Sequence, residues 1–239
     1  LITRNGNTTQ GTFSPYGTNF SNYFDGNGDY LTVSSTASAA FGFGTSDFTI
    51  EGWFYATADN ATDFMIDFRG GVATAPAIFL YTSNQLALYY NGSIVYQPSS
   101  LTFVINQWNH VAVVRSGNVF TVYVNGVSAG TGTYAATIGS QGSYPFEIGG
   151  QVTGTGTLGS TAWLGYITDV RFTNGTALYT SNFTPNINTY NAVQANTALL
   201  TLQTNGQANT SLFTDNSLFS SNANNVITKT GDVSTGTFS

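Results

Sequence analysis

Eleven Asp and Glu residues and one histidine carry most of the chemistry open to this 239-residue chain. Splitting a glycosidic bond takes two carboxyl groups spaced to flank it. The two glutamates, Glu51 and Glu147, are isolated on separate predicted strands. Asp63 and Asp67 are four residues apart in DFMID, a spacing that puts both on one strand face, but no third acid follows. His110, the sole histidine, has no cysteine and no serine-centred elbow to work with, so no nucleophilic triad can be built on it. Beside Trp108 on a strand, it reads as structural. Asp25-Gly26-Asn27-Gly28-Asp29 has two readings: a calcium loop of spaced carboxylates, or a hairpin turn stabilised by Asx side chains. These acids predict no catalysis.

The elements that would position them are strands. Gln107 to Gly126, QWNHVAVVRSGNVFTVYVNG, reads as two strands joined by Ser116-Gly117-Asn118. Trp108, His110, Ala112 and Val114 alternate with Asn109, Val111, Val113 and Arg115, which places apolar groups on both faces and predicts a central strand. Phe48–Tyr55 alternates likewise, with Phe48, Ile50, Gly52 and Phe54 opposite Thr49, Glu51, Trp53 and Tyr55. Further strands are predicted at Asn22–Val33 (two around a turn), Phe64–Phe68, Ala77–Tyr81, Phe146–Ile148, Trp163–Phe172 and Leu199–Leu202. Gln85–Tyr90 and Ser93–Tyr96 flank Asn91-Gly92, a strong hairpin signal. Gln151–Thr161 reads as a Gly/Thr loop, and Asn174–Phe183 as an irregular exposed segment. No stretch has the apolar period of a helix. The fold class expected is all-β, a two-sheet antiparallel sandwich.

Composition narrows the partners. Charged residues make up 7% of the chain and aromatics 15%, which favours a packed body over disorder. Five Lys and Arg against eleven Asp and Glu leave a net charge of −6, so nucleic acid and anionic membrane find no cationic cluster. No apolar run has the length of a bilayer span, and membrane insertion is not expected. A first residue other than methionine is expected of a piece of something longer.

The two ends resemble each other. LITRNGNTTQGTFS (1–14) and VITKTGDVSTGTFS (226–239) agree at seven of fourteen positions. That predicts a tandem array, of which this chain is one unit plus an overlap.

FDGNGDYLTV (24–33), FTIEGWFY (48–55), QWNHVAVVR…FTVYVNGV (107–127) and LGYITDVRFTNGTALY (164–179) occur in the order found in laminin-G-like domains. The chain therefore resembles the laminin-G-like members of the concanavalin A-like jelly-roll superfamily of lectins and glucanases. Its Asn/Thr-rich surface is similar to that of tandem repeats in phage fibres and large bacterial surface proteins. The resemblance implies a jelly-roll domain over 18–190, a junction strand shared with the preceding repeat over 1–17, and C-terminal strands with a junction to the next repeat or subunit over 191–239. It implies an extracellular, cell-surface or virion location, glycans as ligands, and neighbouring copies as partners. Ile2, Phe13, Leu199, Leu200, Val226, Ile227 and Phe238 are the assembly positions, pairing with a neighbour or closing their own sheet. The glucanases carry acids as ExDxxE on one strand, a pattern missing here. Sugar-binding candidates are Tyr81, Tyr89, Tyr90, Tyr96 and Tyr144. Asp169, placed where many relatives carry an acid, would join Asp25 and Asp29 in a structural Ca2+ site. The alternatives are a carbohydrate-binding module of a larger enzyme, and a glucanase.

Overall fold

The computed structural model describes residues 5–7, 10–11, 13–17, 20–33, 40–58, 62–69, 75–81, 85–90, 93–97, 103–139, 145–152, 158–203 and 227–233. Its strands are β1 (Asn5–Asn7), β2 (Gln10–Gly11), β3 (Ser21–Asp25), β4 (Tyr30–Val33), β5 (Phe48–Ala56), β6 (Thr62–Asp67), β7 (Ala77–Tyr81), β8 (Gln85–Tyr90), β9 (Ser93–Tyr96), β10 (Asn109–Ser116), β11 (Val119–Val124), β12 (Val127–Thr133), β13 (Phe146–Ile148), β14 (Gly150–Val152), β15 (Leu158–Ala162), β16 (Leu164–Asn174), β17 (Thr197–Thr201) and β18 (Ile227–Val233). Sheet I runs β1-β18-β4-β13-β6-β7-β8-β9, and sheet II runs β12-β11-β10-β5-β16-β3-β2 with β17 also on β16. Neighbours are antiparallel except β1 and β18. The described residues contain no helix. The expected antiparallel sandwich is what the chain forms.

Alternation builds it. Ile50, Phe54, Val111, Val113, Phe120, Val122, Ile167 and Phe172 of sheet II meet Leu31, Val33, Ile66, Ile78, Leu80, Leu88, Phe146 and Ile148 of sheet I in one buried core. Phe41 and Phe43 enter from the loop before β5. With Phe68, Phe146 and Phe172 they form a ring cluster in which Phe68 stacks on Phe146 at 4.6 Å. Each such side chain contributes about 1.5–3 kcal/mol on burial, and this core compensates for the scarcity of charge. β10 lies between β11 and β5, the central place its two apolar faces predict.

Several expectations need correction. The expected Gly/Thr loop contains strands: β14 and β15 pair antiparallel with each other. Asn174–Phe183 is not simply exposed. Ala177, Tyr179 and Phe183 pack on Ala112, Val114 and Tyr123, so the segment is a strap across the outer face of sheet II. Leu199 and Leu200 need no neighbour, because β17 pairs with β16 of its own sheet and both side chains are buried. Ile227 also pairs within the chain, opposite Val33 of β4. Ile2, Val226 and Phe238 lie outside the described residues.

A bulge between Phe64 and Ile66 overturns one inference about chemistry. It sets Asp63 opposite Leu80 and Asp67 opposite Ala77. Leu80 belongs to the core and Ala77 to the outer face. The extra residue reverses the strand's parity, so the two aspartates do not share a face.

Candidate functional site

The outer face of sheet II carries the polar and aromatic half of the alternation, and its central acid is wholly engaged. Glu51, 1% exposed, receives Arg171 Nε at 2.7 Å on Oε1 and the Tyr179 hydroxyl at 2.8 Å on Oε2. His110 Nε2 lies 3.2 Å from the same Oε2. Burial alone would push the Glu51 carboxyl up, but His110 and Arg171 outweigh it and hold the group below its ordinary value. Arg171 Nη1 also donates to the Ala192 carbonyl at 2.8 Å, and Tyr179 stacks on Phe183 at 3.6 Å. Glu51 and His110 therefore fasten the strap to the sheet. Sequence alone leaves both unpartnered, since Arg171 and Tyr179 lie more than a hundred residues from Glu51.

Glu147 sits elsewhere. Its neighbours Phe146 and Ile148 point into the core, so it faces out of sheet I, while Glu51 faces out of sheet II. Sheets packed face to face lie about 10 Å apart. Two glutamates on opposite outer faces of that body cannot flank one glycosidic bond. Glu147 is in register with Thr32 on one side and Asp67 on the other. Asp67 is bound by Arg69 through Nε at 2.8 Å and Nη2 at 2.6 Å, and the guanidinium lies over Phe64 and Tyr89. Both Glu147 carboxyl oxygens are buried with no hydrogen-bond partner among the described residues. Burial, then Asp67 alongside, pushes this carboxyl well above the ordinary glutamate value.

The proposed calcium ligands are not brought together. Asp25 Oδ1 accepts from Asn27 N at 2.7 Å and Asp29 Oδ2 accepts from Asp25 N at 2.9 Å, which is the Asx-stabilised turn. Asp169 lies five residues along β16 from Leu164, the partner of Asp25, so about 15 Å separates the two ends. Asp169 occupies a bulge at φ 54° and is held by the Tyr16 hydroxyl, Asn191 N at 2.9 Å and Gln203 Nε2 at 2.5 Å. Among the described residues no three Asp, Glu, His or Cys side chains could hold a metal ion.

The tyrosine candidates also disperse. Tyr89 packs against Arg69 on the outer face of sheet I. Tyr90 is buried, its hydroxyl donating to the Thr137 carbonyl at 2.7 Å. Tyr81 and Tyr96 are strand positions whose side chains lie outside what the structure describes, and Tyr144 lies outside the described residues.

A different set of rings converges. Tyr23, Tyr166 and Tyr55 sit directly across from one another on β3, β16 and β5. Trp108, just before β10, lies 5.6 Å from Tyr55. Phe13 covers the row, 4.8 Å from Tyr55, 4.8 Å from Tyr166 and 5.6 Å from Trp108. Its place is set by β2 on the edge of β3 and by the Ser21 hydroxyl donating to its carbonyl. Phe13, an expected assembly position, is thus engaged within its own chain. Beside it an open cleft of ≈ 230 Å³ is lined by Phe13, Tyr55, Thr57 and Tyr166. Burial, then Tyr23 and Tyr55, pushes the Tyr166 hydroxyl up to about 12, so it stays neutral and able to donate. None of the described lining residues is charged. Rings with hydroxyls around an uncharged cleft suit a ligand with one apolar face and several hydroxyls. The sequence signal was the alternation itself, which put Tyr55 on the face opposite Phe54 without saying what would join it.

Residues 25–181 match the Laminin_G_3 family, described as the concanavalin A-like lectin/glucanases superfamily. The chain belongs to this family. Solved structures agree on the fold. A Bacteroides ovatus protein described as a candidate carbohydrate-binding protein superposes with a TM-score of 0.58 at 17% identity, over 87% of this chain and 60% of that one. Domain 4 of an extracellular arabinanase of family GH43 from Geobacillus stearothermophilus, solved with arabinotriose, gives 0.50 at 16% identity, over 74% and 82%. The binding domain of Paraclostridial Mosquitocidal Protein 1 gives 0.51 at 15% identity, over 75% and 44%. The chain thus spans less than two thirds of the Bacteroides protein. No curated protein matches it.

Proposed function

We propose that this laminin-G-like domain is a non-catalytic, glycan-binding repeat of an extracellular or virion-associated fibre, its units joined by strand-mediated contacts. The open aromatic cleft at Phe13, Tyr55, Thr57 and Tyr166 carries the binding half of this reading. Sugar rings present axial C–H groups that pack on aromatic faces, while their hydroxyls accept from tyrosine and threonine. The cleft is smaller than the ~300–1,000 Å³ typical of drug-sized ligands, which suits one sugar ring. The carbohydrate-binding description of the Bacteroides protein and the arabinotriose on the Geobacillus domain support this class of ligand. Because the Geobacillus relative is one domain of an arabinanase, attachment to a larger enzyme is the second reading.

Isothermal titration with neutral pentose and hexose oligosaccharides tests the site. Tyr55→Ala and Tyr166→Ala should each weaken binding about tenfold or more, the loss of roughly 1.4 kcal/mol. Unchanged affinity in both variants, with folding intact, would remove the cleft from consideration.

A further inference from the structure

Residues 10, 11, 13 and 14 occupy a seat, and the sequence from 11 to 14 is one that the chain carries twice. Gln10 and Gly11 pair with Asn22 and Ser21 on the open edge of β3, and the Ser21 hydroxyl donates to the Phe13 carbonyl. The Phe13 ring fills the space between Tyr55, Trp108 and Tyr166. Gly11-Thr12-Phe13-Ser14 reappears without change as Gly236-Thr237-Phe238-Ser239. Phe13, whose ring the seat engages, is therefore duplicated as Phe238, and main-chain pairing on a strand edge is indifferent to sequence.

The two copies also lie side by side with one polarity. β1 and β18 are parallel, and the register begins at Asn5 opposite Thr230, the offset of the repeat itself, before slipping by one. The chain leaves both strands at the same end of sheet I. Within one chain the first copy already fills the seat, and the second copy carries the same four residues. We infer that the β3 edge and its aromatic slot form a docking seat for the C-terminal Gly-Thr-Phe-Ser segment of a second copy of this chain. The inference rests on the assembly reading above and names its contact. A covalently attached occupant has an effective concentration of millimolar order, so the cis copy normally holds the seat. Exchange follows when a neighbour brings its segment to a similar concentration, or when residues 10–14 give way.

The test uses the full chain with Phe13→Ala, which empties the slot, and a synthetic peptide of residues 231–239, GDVSTGTFS. Calorimetry should show the peptide binding this variant at least tenfold more tightly than its Phe→Ala analogue. Equal binding of the two peptides, or none, overturns the seat. Circular dichroism checks that Phe13→Ala is folded, and Phe13→Leu, which keeps an apolar side chain, serves if it is not. Sedimentation of the unaltered chain and of Phe238→Ala separates the seat from the assembly reading. Self-association that Phe238→Ala abolishes supports both, and self-association that it leaves unchanged overturns the seat alone. Peptide binding by a chain that stays monomeric at every concentration supports the seat and overturns the assembly.

Discussion

Replacing Glu147 by glutamine should remove part of the protein's pH dependence. Both carboxyl oxygens are buried beside Asp67 without a hydrogen-bond partner among the described residues, and burial raises the group well above its ordinary value of 4.5. The folded protein therefore keeps a proton that the unfolded chain releases. Below the ordinary glutamate value both states are protonated, and the group makes stability independent of pH. Above that value, each pH unit costs about 1.4 kcal/mol of unfolding free energy until the folded group also ionises. Glutamine has no such term. Its unpaired amide carries a fixed penalty of about 1–3 kcal/mol, so the slope is informative and the offset is not. Guanidinium unfolding between pH 4 and 8, followed by the fluorescence of buried Trp163, gives both curves. Asp169, raised mainly by burial, adds a slope of the same sign, and Glu51, lowered by its partners, adds the opposite one at acid pH. Both are common to the two proteins and cancel in the difference. The wild type should lose stability relative to Glu147→Gln as pH rises. Parallel curves across the whole range would refute the reasoning.

Three further outcomes follow from the geometry. Glu51→Gln leaves Arg171 buried against a neutral group and should cost about 3–5 kcal/mol, seen as a melting temperature lower by on the order of 10 °C and faster hydrogen exchange over residues 176–192. Gly165→Ala should destabilise by more than the ~1–3 kcal/mol of backbone strain alone, because at φ 142° its Cβ would lie 1.9 Å from the Tyr55 carbonyl. Thermal melting and glycan titration should both register it, since β5 and β16 carry the cleft. Tyr55→Phe keeps the ring and loses the hydroxyl, so titration should show affinity falling by up to about tenfold, the loss of one hydrogen bond worth ~0.5–1.5 kcal/mol.

Period-two alternation was enough to derive the body of the protein. It sorted the residues of β5 and β10 into two opposite faces, and it placed the β10–β11 and β8–β9 hairpins. It works because a strand's side chains alternate by local geometry, whatever lies across from them. The four ordered motifs that resembled laminin-G-like domains led to the family the chain belongs to. Bulges escaped this reading. One extra residue near Met65 sends Asp63 and Asp67 to different faces, and another turns Asp169 into a buried clasp.

The cleft was beyond reach for another reason. Phe13, Tyr55, Thr57 and Tyr166 belong to three distant parts of the chain, and strand order alone makes them neighbours. The acids show the same divide. Glu51 and Glu147 look alike in the sequence, each isolated on its strand. Tertiary packing brings Arg171, His110 and Tyr179 to the first, and to the second a like charge, Asp67, with no hydrogen-bond partner among the described residues. Away from bulges, which face a side chain takes is decided within its own strand. What it meets there depends on the order in which strands from distant parts of the chain are laid together, and that order is set only when the two sheets close over one core.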